Sequence, residues 1–229
     1  MATKALIVPA AGSGSRLKKE TPKPFLELSG TTILEHTVCK FLPLTNLRQI
    51  LVATSEEFLD RAQAILDEIT PQDISAICLT GGNERQHSIY NALKKVGDID
   101  LVMVHDAVRP FVRLEHIRKC CKIAYEDGGA VLGVPVKDTI KRVDDRKVIR
   151  ETPSRKYLWQ TQTPQIFRKE LLVKAYEKAF REKFLGTDDA SLVERLGVNV
   201  RMVQGDRSNF KITYPLDLKL AQLLIEQKN

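Results

Sequence analysis

The chain lacks the cysteine spacing of a metal site or a disulfide framework. Cys39, Cys78, Cys120 and Cys121 include no CxxC, and the adjacent Cys120 and Cys121 are poorly placed to bond each other. A stapled secreted domain is therefore not expected, and a reduced, cytoplasmic setting is. No apolar run approaches the ~20 residues that cross a bilayer, and the first residues enter a strand pattern rather than a signal peptide. There is no internal repeat and no low-complexity linker. There is also no dense block of Lys and Arg: the formal charge of +7 is spread along the chain, which suits a small anionic ligand and not nucleic acid. What is present is 229 residues with 43% hydrophobic content, enough to bury a large core in one α/β domain or one domain with an appendage.

The most informative stretch runs from Ala5 to Lys23. Ala5, Leu6, Ile7 and Val8 are apolar at every position, as in a parallel strand buried on both faces, and Pro9 ends the run. Ala10, Ala11, Gly12, Ser13, Gly14 and Ser15 follow, all small, then Arg16. Small residues let successive backbone N–H groups close around an anion. Arg16 and Lys23 add full positive charge, with Lys23 held between Pro22 and Pro24 in a segment that resists helix formation. Two familiar glycine loops are excluded. A dinucleotide fingerprint needs glycine where Leu17 stands, and a triphosphate P-loop needs Gly-Lys-Ser or Gly-Lys-Thr. Strand, Ala-Ala-Gly-x-Gly-x-Arg and Pro-Lys-Pro resemble the signature of nucleotidyltransferases that make sugar or polyol nucleotides; an ordinary strand-to-helix turn with solvated cations is the alternative.

The remaining chain alternates in the same way. Thr32 with Glu35 reads as a capping box before a helix closed by Pro43, Ile50 to Ala53 as a strand, and Ser55 as the cap of a helix ending before Pro71. Ile74 to Leu79 and Leu101 to Val104 read as strands, a helix runs to about Tyr125, and Ala130 to Val134 form another strand. Helices are expected over Lys169 to Phe184, from Gly186 to Gly197 and from Pro215, with a strand over Val198 to Val203. This rhythm predicts an α/β fold, a Rossmann-like three-layer sandwich with a mostly parallel twisted sheet. Pro135 to Gln165 breaks it. Near-alternation at Val136, Thr139, Ile140 and Val143, with a turn at Asp144 to Arg146, predicts a β-hairpin arm at about 136–160, packed either on its own domain or on another subunit.

Ligands of open parallel sheets bind beyond the carboxyl ends of the strands. Three loops meet that description: the one after the first strand, Gly81 to Ser88, and His105 to Arg109. Gly81 and Gly82 either admit a base against bare backbone, with Asn83, Arg85 and Ser88 supplying donors and acceptors for base edges and ribose, or form a plain turn. Asp106 is either a Mg²⁺ ligand that leaves most coordination to phosphate and water or an ion-pair partner of Arg109. His105 reads as structural, because transfer to an already anionic phosphate needs no base.

In order along nearly the whole chain, VPAAGSGSR with PKPF, GGNERQHS, VHDAVRPF, Asp138-Thr139, Arg155, Thr163-Pro164-Gln165, TDDAS and NFKIT resemble the 2-C-methyl-D-erythritol 4-phosphate cytidylyltransferases. The resemblance implies one nucleotidyltransferase domain over residues 1–229 that transfers CMP from CTP to the polyol phosphate in non-mevalonate isoprenoid synthesis, with Mg²⁺. It implies that Ala10 to Ser15 wrap the triphosphate, Arg16 and Lys23 stabilise the transition state, and Gly81, Gly82 and Ser88 read cytosine. It further implies that Asp106 lies by Mg²⁺ and the polyol and that Arg109, Thr187 and Lys211 hold the polyol phosphate. The arm is expected to cross a homodimer and deliver Thr139 and Arg155 to the neighbouring site. Lys211 and the neighbour's Arg155 then hold the nucleophile, so both join Arg16 and Lys23 in the catalytic set. Asn83 stands where some relatives carry Asp, which weakens a contact at that position. Two other readings share the motifs: a ribitol 5-phosphate cytidylyltransferase and a non-catalytic nucleotide-binding regulatory protein. The implied setting is cytoplasm, or plastid stroma after removal of a transit peptide.

Overall fold

The computed structural model describes residues 2–12 and 21–227. Strand β1 (Lys4–Pro9) is its centre: Ala5 and Ile7 point into one core, Leu6 and Val8 into the other, and all four are fully buried. Each such Leu or Ile contributes about 1.5–3 kcal/mol by leaving water, so a strand apolar at every position is fixed on both sides. After a 3-10 turn at Lys23–Phe25 come β2 (Glu27–Leu28), β3 (Thr31–Thr32) and α1 (Ile33–Cys39), which Thr32 caps by accepting the Glu35 N–H at 3.2 Å. Next are β4 (Leu47–Thr54) and α2 (Leu59–Ile69). Ser55 does not cap α2 with its side chain; Glu56–Phe58 wind as a 3-10 turn first, and Phe58 stacks on Phe25 at 4.7 Å. β5 (Ser75–Thr80), α3 (Arg85–Leu93), β6 (Leu101–Val104), α4 (Leu114–Asp127) and β7 (Gly129–Pro135) complete the alternating part.

Strands β8 (Arg142–Val143) and β9 (Ile149–Glu151) pair antiparallel as an exposed hairpin, the predicted arm. Then comes an element that the sequence reading does not contain: β10 (Trp159–Arg168), followed by α5 (Lys169–Arg181), α6 (Asp189–Glu194), β11 (Arg201–Gln204) and α7 (Pro215–Glu226). The seven-stranded sheet runs β11-β7-β10-β6-β1-β4-β5, and β10 alone is antiparallel to its neighbours. Pro164, which has no N–H to give, falls where the pairing of β10 on β7 skips from Thr161 to Gln165, so the strand tolerates it.

Helices α1, α2 and α4 cover one face of the sheet, and α3, α5 and α6 the other. A third cluster joins α7 to Leu28, Ile33, Val108 and Ile212 at the carboxyl end of β6. On the outer edge of β5, the Gln63 amide of α2 accepts the Cys78 N–H at 2.9 Å and donates to the Ala76 carbonyl at 3.2 Å. All four cysteines are free thiols, and among the described residues no helix is long and apolar enough to cross a membrane.

Candidate active site

A cavity of about 320 Å³ opens at the carboxyl ends of β1 and β6. It is walled by Ala10, Ala11 and Gly12 after β1, by Gly82 to Arg85 with Ser88 at the start of α3, by Asp106 to Val108, and by Lys211 to Thr213. Lys23 and Pro24 close the remaining side, and the Lys23 ammonium donates to the Thr213 carbonyl at 2.8 Å. Five segments of the chain thus meet at one edge of the sheet.

Gly81 makes the close approach possible: a Cβ there would lie 2.5 Å from the Ala11 side chain and 2.9 Å from Ser88 Oγ. A Cβ on Gly82 would strike His87. Ser88 Oγ in turn accepts the Gly82 N–H at 3.0 Å, so this glycine turn is pinned to α3.

Asp106 is the electrostatic centre. Its carboxylate meets Arg85 Nε, Arg109 Nε and Lys211 Nζ, each at 3.2 Å. Burial alone would raise its pKa, but the charges of Arg85, Lys211 and Arg109 hold it well below the usual carboxylate range. Arg85 also pairs with Asp189 at 2.9 Å; although burial opposes its charge, the two carboxylates raise its pKa further. Asp189 is wholly buried and accepts the Tyr176 hydroxyl at 2.5 Å. Burial, reinforced by Asp189, pushes that phenol well above its ordinary range, so it remains a donor. Four cations (Lys23, Arg85, Arg109 and Lys211) against three carboxylates (Glu84, Asp106 and Asp189) leave the described part of the site with one net positive charge, which favours a polyphosphate guest.

His105 is structural, as its sequence context suggests. It is fully buried between the Arg109 carbonyl and the Thr163 hydroxyl, both at 3.0 Å, and burial pushes its pKa down to about 4. Gln86, also on α3, grips the loop before α6: its amide donates to the Phe184 carbonyl and accepts the Gly186 N–H.

Of the residues named from the sequence, Ala10, Ala11, Gly12, Lys23, Gly82, Asn83, Arg85, Ser88, Asp106 and Lys211 line this cavity. Arg85 spends its guanidinium on Asp106 and Asp189. Gly81 and Arg109 stand just behind the wall, Arg109 bound to Asp106 and to the Asn209 carbonyl at 2.8 Å. Thr139, Arg155 and Thr187 are exposed and lie outside the wall. Arg155, at the base of the arm, donates to the Lys137 carbonyl at 2.7 Å. Ser13, Gly14, Ser15 and Arg16 lie outside the described residues. Sequence reasoning missed the wall residues Glu84, Ile212 and Thr213 and the buried anchors Asp189 and Tyr176. The TDDAS segment was the available signal for Asp189.

No group of three or more His, Cys, Asp or Glu side chains able to hold a metal occurs among the described residues. A cation here needs most of its ligands from a guest. Asp106 is suited to that: it lines the cavity, and Lys211, whose side chain is 46% exposed, is free to swing off the carboxylate oxygen.

Residues 4–227 match the profile of the 2-C-methyl-D-erythritol 4-phosphate cytidylyltransferase family. The chain is 43% identical over 222 residues to the 2-C-methyl-D-erythritol 4-phosphate cytidylyltransferase of Caldanaerobacter subterraneus subsp. tengcongensis, covering 96% of this chain and 98% of the relative. Its fold is similar to that of a 4-diphosphocytidyl-2C-methyl-D-erythritol synthase from Anaerococcus prevotii, with a TM-score of 0.87, 30% identity and coverage of 98% and 96% of the two chains. It is also similar to the Thermus thermophilus 2-C-methyl-D-erythritol 4-phosphate cytidylyltransferase, with a TM-score of 0.79, 34% identity and coverage of 99% and 100%.

Proposed function

The chain belongs to the 2-C-methyl-D-erythritol 4-phosphate cytidylyltransferase family, and on that premise we propose how its own residues perform the reaction. The enzyme is a nucleotidyltransferase of non-mevalonate isoprenoid synthesis that transfers CMP from CTP to 2-C-methyl-D-erythritol 4-phosphate. The polyol phosphate attacks the α-phosphorus of CTP in line, the bond to the β-phosphate oxygen breaks, and pyrophosphate leaves. Two anions must meet, so the protein's work is charge screening and alignment rather than proton transfer.

In our assignment the triphosphate lies on Ala10 to Ser15, with Arg16 and Lys23 on the phosphates. Gly81, Gly82, Asn83, Arg85 and Ser88 frame the base and ribose, with the Arg85 guanidinium in the wall held by Asp106 and Asp189. Arg109, Thr187 and Lys211 hold the polyol phosphate. The observation that carries this is the convergence of Lys23, Asp106 and Lys211 on one cavity of net positive charge. Asp106, together with substrate phosphates, would hold Mg²⁺, which would supply neutralisation of charge on the nucleotide.

We further assign residues 1–229 to one nucleotidyltransferase domain whose arm, 136–160, crosses a homodimer and offers Thr139 and Arg155 to the partner's cavity. The exposure of both residues, away from their own cavity, supports this. The free thiols suit a reducing cytoplasm.

The test is pyrophosphate release from CTP with 2-C-methyl-D-erythritol 4-phosphate or with ribitol 5-phosphate, each with Mg²⁺ or with a chelator. We expect release with the first polyol only, abolished by the chelator. Turnover that survives chelation would remove Mg²⁺ from the assignment.

A further inference from the structure

The assignment above gives no part in the reaction to the buried His105 side chain, which lies beside Asp106. It stands where β6 ends, and its backbone N–H donates to the Ile7 carbonyl at 3.0 Å, so the chain is still strand-like at that point. The Phe41 ring packs on the imidazole with centroids 4.8 Å apart.

The direction of every hydrogen bond around the ring follows from chemistry. Nε2 lies 3.0 Å from the Arg109 carbonyl oxygen, which only accepts, so Nε2 carries the proton. Nδ1 of that neutral ring is then an acceptor, and the Thr163 hydroxyl, 3.0 Å away, donates to it. Having given its single proton, Thr163 Oγ1 accepts the backbone N–H of Asp106 at 3.0 Å. The result is a one-way chain from Asp106 N–H through Thr163 and His105 to the Arg109 carbonyl. It links both ends of the turn that carries Asp106 and Arg109, and it ties that turn to β10.

The turn also holds the segment bearing Lys211. The Val108 carbonyl accepts the Ile212 N–H at 3.0 Å, and Arg109 Nη1 donates to the Asn209 carbonyl at 2.8 Å. Asp106 then receives Lys211 itself at 3.2 Å. A shift of the turn therefore moves Asp106, Arg109 and Lys211 together. The Lys23 side of the cavity hangs on the same 209–213 segment, through the Lys23 ammonium donating to the Thr213 carbonyl at 2.8 Å, whereas the wall after β1 hangs on β4, through Ala10 N–H donating to the Ala53 carbonyl at 2.7 Å.

We propose that His105, acting through Thr163, is a positioning residue for the polyol-phosphate half of the site: its Nε2–H tautomer fixes the 105–109 turn and so sets Asp106, Arg109 and Lys211 against the nucleophile. This rests on the assignment of Arg109 and Lys211 to the polyol phosphate. His105 touches neither substrate in this arrangement; its effect falls on the side of the cavity that the turn and the 209–213 segment carry, and not on the wall after β1, which hangs on β4.

Isosteres divide the chain into its links. His105→Asn leaves an amide oxygen near Nδ1 for Thr163 and drops the donor to Arg109, whereas His105→Gln keeps a donor near Nε2 and drops the acceptor. Thr163→Val removes the hydroxyl at constant shape, and Thr163→Ser retains it. KM for each substrate and kcat are measured on the full-length enzyme, with Lys211→Ala alongside. We expect His105→Asn, His105→Gln and Thr163→Val each to raise KM for the polyol phosphate roughly 10-fold to 100-fold while KM for CTP stays within about twofold, and Thr163→Ser to restore it. A fall in kcat with both KM values unchanged, or a Thr163→Val enzyme equal to the wild type, overturns the proposal. If the His105 variants do not fold, the isosteric Thr163 pair decides. Should Lys211→Ala also leave the polyol-phosphate KM unchanged, the assignment of the cavity fails; if it raises KM and Thr163→Val does not, only the positioning role of His105 fails.

Discussion

Two aspartates, one in the cavity and one on the arm, are ion-paired, Asp106 with three cations and Asp144 with one, and their surroundings differ in every respect that matters. The Asp106 side chain is 8% exposed and takes its partners from residues 85, 109 and 211, so its cluster exists only in the folded chain. Asp144 accepts the N–H groups of Val148 and Arg146 and pairs with Arg150 at 2.5 Å, all within six residues, in the open. The first cluster gathers distant segments; the second merely shapes a hairpin tip, and an exposed pair of that kind adds little stability. The arm meanwhile leaves Val143, Val148, Ile149 and Tyr157 in solvent, Tyr157 at 77% exposure. The described part of the cavity is thus organised from distant segments of one chain, whereas the arm carries apolar side chains that no described residue covers, which is what the proposed homodimer addresses.

The sharpest way to break this contrast is to remove charge from the cavity. Lys23→Ala is expected to lower kcat by roughly 10²-fold to 10³-fold, about 2.7–4 kcal/mol, as when one donor to a developing oxyanion is lost. Near-normal turnover in steady-state assays would take Lys23 out of the catalytic set. On the arm, Arg155→Ala should act through a neighbouring subunit, raising KM for the polyol phosphate about 10-fold to 100-fold with a smaller change in kcat. Mixing it with Lys23→Ala should recover activity in the heterodimer, because one of the two cavities then receives both wild-type residues. Absence of recovery would leave the arm without a role in trans.

The smallest effect separates the regions by pH. The folded pKa of His105, about 4, lies below its ordinary 6.5, so the unfolded chain binds the proton first as pH falls. The associated stability is complete above pH 6.5 and is lost as pH falls towards 4, at up to about 1.4 kcal/mol per pH unit. Urea midpoints at pH 7 and pH 5 should differ, and His105→Gln should narrow the gap; equal midpoints would mean that the ring is not held neutral. Asp144 is also shifted downwards, first through its bond from the Val148 N–H, so its own contribution is lost only below this window.

Much of this architecture is legible in the chain because its central strands are buried on both faces. A run such as Ala5 to Val8 has few other places to go, and the small residues after it mark the edge where a guest approaches. β10 is not legible: Pro164 sits inside it, and a proline argues against a strand until the partner strand's register is known. Arg85 shows the same limit at the site. Its place by the glycine turn is evident from GGNERQHS, but its commitment to Asp106 and Asp189 depends on a contact 104 residues away, and a buried carboxylate cannot be told from a surface one without its partner. Thr163 is visible only as part of a motif. Its function as the hydroxyl between Asp106 and His105 requires the antiparallel strand to be in position.

The Gln63 amide on the rim of β5 has a consequence for how copies of this molecule meet. A terminal strand with bare donors and acceptors invites a foreign strand to zip on, the first step towards fibres. Here one side chain imitates the missing neighbour, satisfying the Cys78 N–H and the Ala76 carbonyl. At that margin these two groups are already spoken for, so an incoming strand would first have to displace the Gln63 amide.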